Sequence, residues 1–383
     1  MRPLILCLSF MWSMSAMGQG INMVYEDYDI SPPPYSFIHS DMDLIPGTNN
    51  YAVSATQSFP MYIIDGETLE IKEKYDVGNW YGGSRIFPSV SGRYLLLQQL
   101  TYLDYAPNKD REVHFEVFET STGKVVLDIP SAHSAALHPN EEELIVLIGD
   151  DVFSYSLDGK EKRRLFPVPE ATNCVAISPD GSQIAISHHV EDDFLNAYVT
   201  KKRQKKNYKI FKKYRQCVSV YSSQDFKRLY TVDEMFDIPY ILQYDHSGEH
   251  LLCYSTPHTK VVAKTGMNGS KYISKINAAD GKYTGVGFIS NCSFEPDFEF
   301  SNDRSKIAIV TNGVKFSEIW IYDYRTGDLL TRFEIAFTFF EGTKLKSMPS
   351  DAGRIGLAFA ADDKSLFFTN GAKITKWELN YED

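Results

Sequence analysis

The side chains best equipped for chemistry lie close together at His188, His189, Glu191, Asp192 and Asp193. Imidazole and carboxylate groups in one short segment are what a zinc or calcium site, or an acid–base hydrolase, requires. His188 and His189 end a run with strand character, where adjacent residues point to opposite faces. A metal reading therefore uses His188, Glu191, Asp192 and Asp193. The competing reading is one packed histidine beside an acidic loop. A second unusual stretch follows at once. In "KKRQKKNYKIFKKYR", residues 201–215, nine of fifteen residues are Lys or Arg, although the chain has a formal net charge of −11. Lys201, Lys202, Arg203, Lys205, Lys206, Lys212, Lys213 and Arg215 form a candidate binding surface for an anionic partner. Its alternative is a solvated loop. Tyr208, Ile210, Phe211 and Tyr214 interrupt the charge, which a purely solvating loop does not need. Trp80 and Tyr81 in "NWYGG", with Phe337, Phe339 and Phe340 further on, are candidates for an aromatic platform or for packing between elements.

Other chemistry is sought without result. There is no Gly-x-Ser-x-Gly elbow, no Cys-x-x-Cys-His haem site, no phosphate-binding glycine loop and no sialidase-type Asp-box. The pairs His133/His138 and His246/His250 offer no third ligand at usable spacing. Nothing calls for a cofactor.

The ends and the composition bound the setting. "MRPLILCLSFMWSMSAMG" places one Arg before an uncharged apolar run and ends in a small-x-small site. Residues 1–18 are expected to be a signal peptide, with Gln19 first in the mature, exported chain, periplasmic or extracellular. No second long apolar stretch occurs, so no transmembrane segment is expected. Aromatics make up 14% of the chain, favouring strands. The acidic balance argues against nucleic acid as partner.

The elements that must position these residues repeat. "VAISPDGSQIAIS", from Val175, is an alternating hairpin around a tight turn. The same ungapped frame fits from Met42, Arg85, Ala135, Leu242, Phe298 and Leu357. Its third position is Leu44, Phe87, Leu137, Ile177, Tyr244, Phe300 or Phe359. Its tenth is Tyr51, Tyr94, Leu144, Ile184, Leu251, Ile307 or Leu366. A third strand follows each hairpin, and Asp-Gly or Thr-Gly turns recur at Gly66, Gly123, Gly159, Gly281 and Gly327, where glycine is expected to supply positive φ. A fourth strand follows in six units. Four strands repeated at tens of residues describe an all-β fold of propeller blades. The chain resembles the seven-bladed β-propellers of the WD-repeat and YVTN-like superfamily on these hairpins and the Ser-Pro-Asp-Gly turn. Strict Trp-Asp and Gly-His dipeptides are missing. The resemblance implies a rigid scaffold and no particular partner.

The last unit ends soon after "ITKWEL", and "INMVYEDYDI" has strand character without a hairpin of its own. The expected solution is ring closure, with Met23 to Tyr28 as the outer strand of blade seven. Residues 19–38 are then the closing strand and a Pro-rich strap, and 39–383 the propeller. The basic stretch becomes an insertion at about 191–216, between the second and third strands of blade four. It is read as an extended hairpin arm built from "AYVT" and "YKIF". Long loops gather on that same face, which makes it the candidate working face. Cys174 and Cys217 lie two strands apart, roughly 9–10 Å, beyond disulfide reach. Cys253 and Cys292 share a face, and a bond between them is left open. The favoured function is a non-catalytic scaffold, expected to be a monomer, that binds a protein or an acidic glycan or other anionic surface. The alternative is a propeller hydrolase or lactonase with a metal or acidic site at the channel mouth.

Overall fold

The computed structural model describes residues 25–29, 41–54, 61–77, 84–99, 112–169, 173–198, 208–209, 212, 216–232, 237–257, 262–263, 270–291, 296–312, 317–335, 355–369 and 373–379. Alternating apolar residues and tight turns produce 28 strands in seven antiparallel sheets of four. The innermost strands (A) are Asp41–Leu44, Ser84–Pro88, Ser134–Leu137, Val175–Ile177, Ile238–Tyr244, Phe298–Phe300 and Gly356–Phe359. Strands B, C and D follow outward in chain order in blades one to six. In blade seven the outer place is held by Tyr25–Asp29, which pairs antiparallel with strand C, Lys373–Glu378, in the register Tyr25 to Trp377 and Asp29 to Lys373.

Both faces of each blade are covered, because each sheet packs on its two neighbours. The core accordingly divides into seven apolar clusters, one per blade interface. The seam between blades seven and one is packed like the rest, with Met42, Tyr51, Val53 and Ile64 meeting Ala358, Phe367 and Ile374. The tenth frame positions are buried in all seven hairpins.

The turns also join blades. Gly181 has φ 72°, and the equivalent place is held by Glu141, Arg304 and Asp363 at 57–61°, where a side chain is strained. Two of these make compensating bonds to the preceding blade. Glu141 accepts from Ser91 N at 2.7 Å, and Asp363 accepts from Asn302 N and Asp303 N, each at 2.7 Å.

Three expectations are corrected. In blade two the frame slips by one residue. Ser89 N donates to Tyr94 O, and Pro88 pairs with Leu95, so Phe87 faces Leu96 rather than Tyr94. The turn around Gly92, φ 74°, sets this register. At the outer turns, Gly123, Gly159, Gly281 and Gly327 have positive φ, but Gly66 does not; Leu69 takes it instead, at 58°. Gly66 is required for closeness, since a Cβ there would stand 2.4 Å from Asn49 O. Finally, Asp192–Tyr198 is an α-helix (α1), so the first limb of the expected hairpin arm begins helical. Asp192 and Asp193 in its first turn favour the helix N-terminus, and Leu195 is fully buried against the blade. A strand would not hold those three positions in that arrangement.

Candidate functional site

The channel contains a cavity of about 200 Å³ walled by the inner strands of blades two to five. Arg85, Phe87, Gln98, Ser134, Asn173 and Tyr244 contribute to the wall. Arg85 is only 6% exposed, and its guanidinium carbon lies 4.8 Å from the centre of the Phe87 ring. Asn173 donates from Nδ2 to Gln216 Oε1 at 2.9 Å and to Pro239 O at 3.2 Å, tying blade four to blade five. Its Oδ1 is buried without a partner among the described residues. The Tyr244 hydroxyl donates to Gln183 Oε1 at 3.1 Å, and burial pushes its pKa up. Among the described residues, no carboxylate or imidazole belongs to this wall. Its chemistry is one buried cation, amides and aromatic rings, which suits binding rather than proton transfer.

The segment at 188–193 is drawn apart. His188 ends strand B of blade four (Gln183–His189) and is fully buried. One ring nitrogen lies 2.7 Å from its neighbour's carbonyl, His189 O, and the other 2.7 Å from Ser219 Oγ, which in turn meets Thr231 Oγ1 at 2.8 Å. Burial lowers its pKa from 6.5 to about 4, so the ring is neutral, donating from Nδ1 and accepting at Nε2. Both nitrogens are thereby committed. Glu191 pairs with Arg228 at 2.5 Å, Asp192 with Lys212 at 2.8 Å, and Asp193 is exposed. The four candidate ligands do not converge on one point.

Lys212 is the one residue of the named basic set that lies within the described residues. Lys201, Lys202, Arg203, Lys205, Lys206, Lys213 and Arg215 lie outside them, as do Trp80, Tyr81, the three phenylalanines at 337, 339 and 340, and Cys292. At the root of the insertion, Val190 (5% exposed) and Leu195 (0%) are buried. Cys217 faces His188 across the strand pair, 3.6 Å from Nε2, and burial raises its pKa, so no thiolate forms there. Cys174, Cys217 and Cys253 are buried.

One cluster was not foreseen. His114, Glu116 and Asp128 bring one ligand atom each to within 4.8 Å of one another, the single such group among the described residues. The pattern His-x-Glu on a strand signals two groups on one face. Asp128 joins them only through the pairing of strands C and D, Val113–Glu119 and Lys124–Ala132. Among the described residues, no helix is long and apolar enough to cross a membrane.

No family model matches the chain, and no curated protein matches it. Among solved structures it is similar to the β-propeller domain of Cps50 (Swd1) from Myceliophteria thermophila, at 13% identity and a TM-score of 0.58 over 94% of this chain and 100% of that one. At that identity the likeness speaks for the fold alone. Together with the seven four-stranded sheets, it identifies the fold of the chain as a seven-bladed β-propeller.

Proposed function

We propose that this chain is an exported, non-catalytic propeller that binds a protein partner through the face bearing its long loops, with the basic insertion of blade four contacting an acidic surface of that partner. The observation that carries this reading is the fixed root of the insertion. Val190 and Leu195 are buried, and the Lys212–Asp192 pair ties the far side of the insertion back to α1. A charge run held at its ends costs less ordering entropy on binding than a free tail does. The apolar leader at 1–18 supports export. The WD40-like fold supports a protein as the partner, since such rings offer broad rigid surfaces. The described lining of the cavity, with Arg85, amides and aromatic rings, supports binding.

The test replaces Lys201, Lys202, Lys205, Lys206, Lys212 and Lys213 with Ser and compares retention of both proteins on immobilised polyglutamate and on a sulfated polysaccharide. The reading expects later elution of the wild type from polyglutamate, with the difference shrinking as salt is added. Retention on the polysaccharide alone reassigns the partner to an acidic glycan. Equal elution on both removes the insertion from binding.

A further inference from the structure

We propose that His114, Glu116 and Asp128 form a binding site for a divalent transition-metal ion of the zinc class, on the outer half of blade two. Strand alternation sends Val113, Phe115 and Val117 into the interface with blade three. It sends His114, Glu116 and Phe118 to the opposite face, where Phe118 packs on blade one. Asp128 of strand D is the direct partner of Glu116. All three chemical groups therefore share one side of the sheet, toward blade one.

The geometry is that of a donor set. His114 Nε2 lies 2.5 Å from Asp128 Oδ1 and 3.9 Å from Glu116 Oε1. Ligand atoms around tetrahedral zinc stand roughly 3.3–3.5 Å apart. The two separations straddle that value, and the Asp128 side chain, 58% exposed, is free to rotate by the remaining fraction of an ångström.

The second observation concerns Glu116. Its side chain is 12% exposed, and Oε2 is fully buried with no hydrogen-bond partner among the described residues. Leaving a carboxylate oxygen buried and unsatisfied is costly. A bound cation offsets this cost: it draws on the Glu116 carboxylate, neutralises two close carboxylates and accepts the imidazole lone pair. The donor types select the ion. An imidazole nitrogen suits zinc and its neighbours and not calcium or magnesium, which take oxygen ligands. With three protein ligands and the exposed side at Asp128, a fourth position faces solvent.

The site is independent of the basic insertion and of the channel, because no residue is shared. The experiment strips the full-length mature protein with a chelator, then titrates it with zinc chloride by calorimetry, and in parallel with calcium chloride. The expected result is one zinc per chain, no calcium binding, and a melting temperature that rises with zinc. Asp128→Asn, at an exposed position, is expected to keep the fold and bind zinc roughly tenfold or more weakly. His114→Gln and Glu116→Gln are expected to do the same, and Asp193→Asn to leave binding unchanged. Absence of stoichiometric zinc binding by the folded wild type overturns the proposal. So does zinc binding that persists undiminished in a folded Asp128→Asn protein.

Discussion

Replacing Gly356 with alanine is the sharpest probe of how the ring is held shut. Gly356 begins strand A of blade seven, and its backbone presses on strand A of blade one. A Cβ added there would lie 2.5 Å from Met42 N and 2.6 Å from both Asp41 C and Asp41 Cα. Contacts below 3.0 Å are essentially never made by a real Cβ. All three obstacles are backbone atoms, so no rotamer change relieves them. The strand must move by about half an ångström or more, separating Met42 and Tyr51 from Ala358 and Phe367. Overpacking of this kind costs typically 1–3 kcal/mol, and the rigid obstacles put Gly356→Ala at the upper end, about 3 kcal/mol. At roughly 2.1 cal/mol/K per residue, unfolding entropy for a chain of this length is about 0.8 kcal/mol/K, so the melting temperature should fall by ~4 °C. Differential scanning calorimetry at one scan rate is the assay. Val90→Ala, at a site 68% exposed, is the control and should change stability by less than about 0.5 kcal/mol. A Gly356→Ala protein that melts with the wild type would refute the packing of the seam between blades seven and one.

Further outcomes are expected. His188 is held neutral by burial, with its folded pKa at about 4 against 6.5. The unfolded chain therefore takes up its proton first, and stability falls as the pH drops from about 6.5 to about 4, by up to ~3 kcal/mol, then levels off. Denaturant titrations across that range should show this slope, and His188→Gln should flatten it. Cys217 is 0% exposed with its pKa raised by burial, so iodoacetamide should leave it unmodified in the native protein and label it in urea; labelling of native Cys217 at free-thiol rates would contradict its burial. Deleting residues 19–30 removes the strand beside Lys373–Glu378 and leaves an open sheet edge. The truncated protein should melt lower than the intact one, and an unchanged melting temperature would remove that strand from ring closure.

What the sequence determines by itself is the local pattern. A period of two in apolar residues and a turn every few residues depend only on neighbours along the chain, so "VAISPDGSQIAIS" reads as a hairpin before any coordinates exist. Repetition of that unit carries the reading to a ring, because a blade covered on neither face is not stable alone. The limits of the pattern show in blade two, where the choice between Phe87 and Pro88 as the inward partner belongs to the turn around Gly92. A slip of one residue leaves the count of apolar positions almost unchanged, while it reverses every side chain. They show again at 192–198, where two aspartates and a buried leucine favour a helical turn over the limb of a hairpin. The sites lie one level higher. Neither the separation of His188 from Glu191 and Asp192 nor the meeting of His114, Glu116 and Asp128 follows from spacing along the chain. The first groups are close in sequence, but each takes its own partner, His188 with Ser219, Glu191 with Arg228 and Asp192 with Lys212. Asp128 is twelve residues from Glu116 and reaches it only because strands C and D pair in one register. Tertiary structure decides such meetings because they depend on cross-strand register, which the turns and the packed neighbouring blades set together.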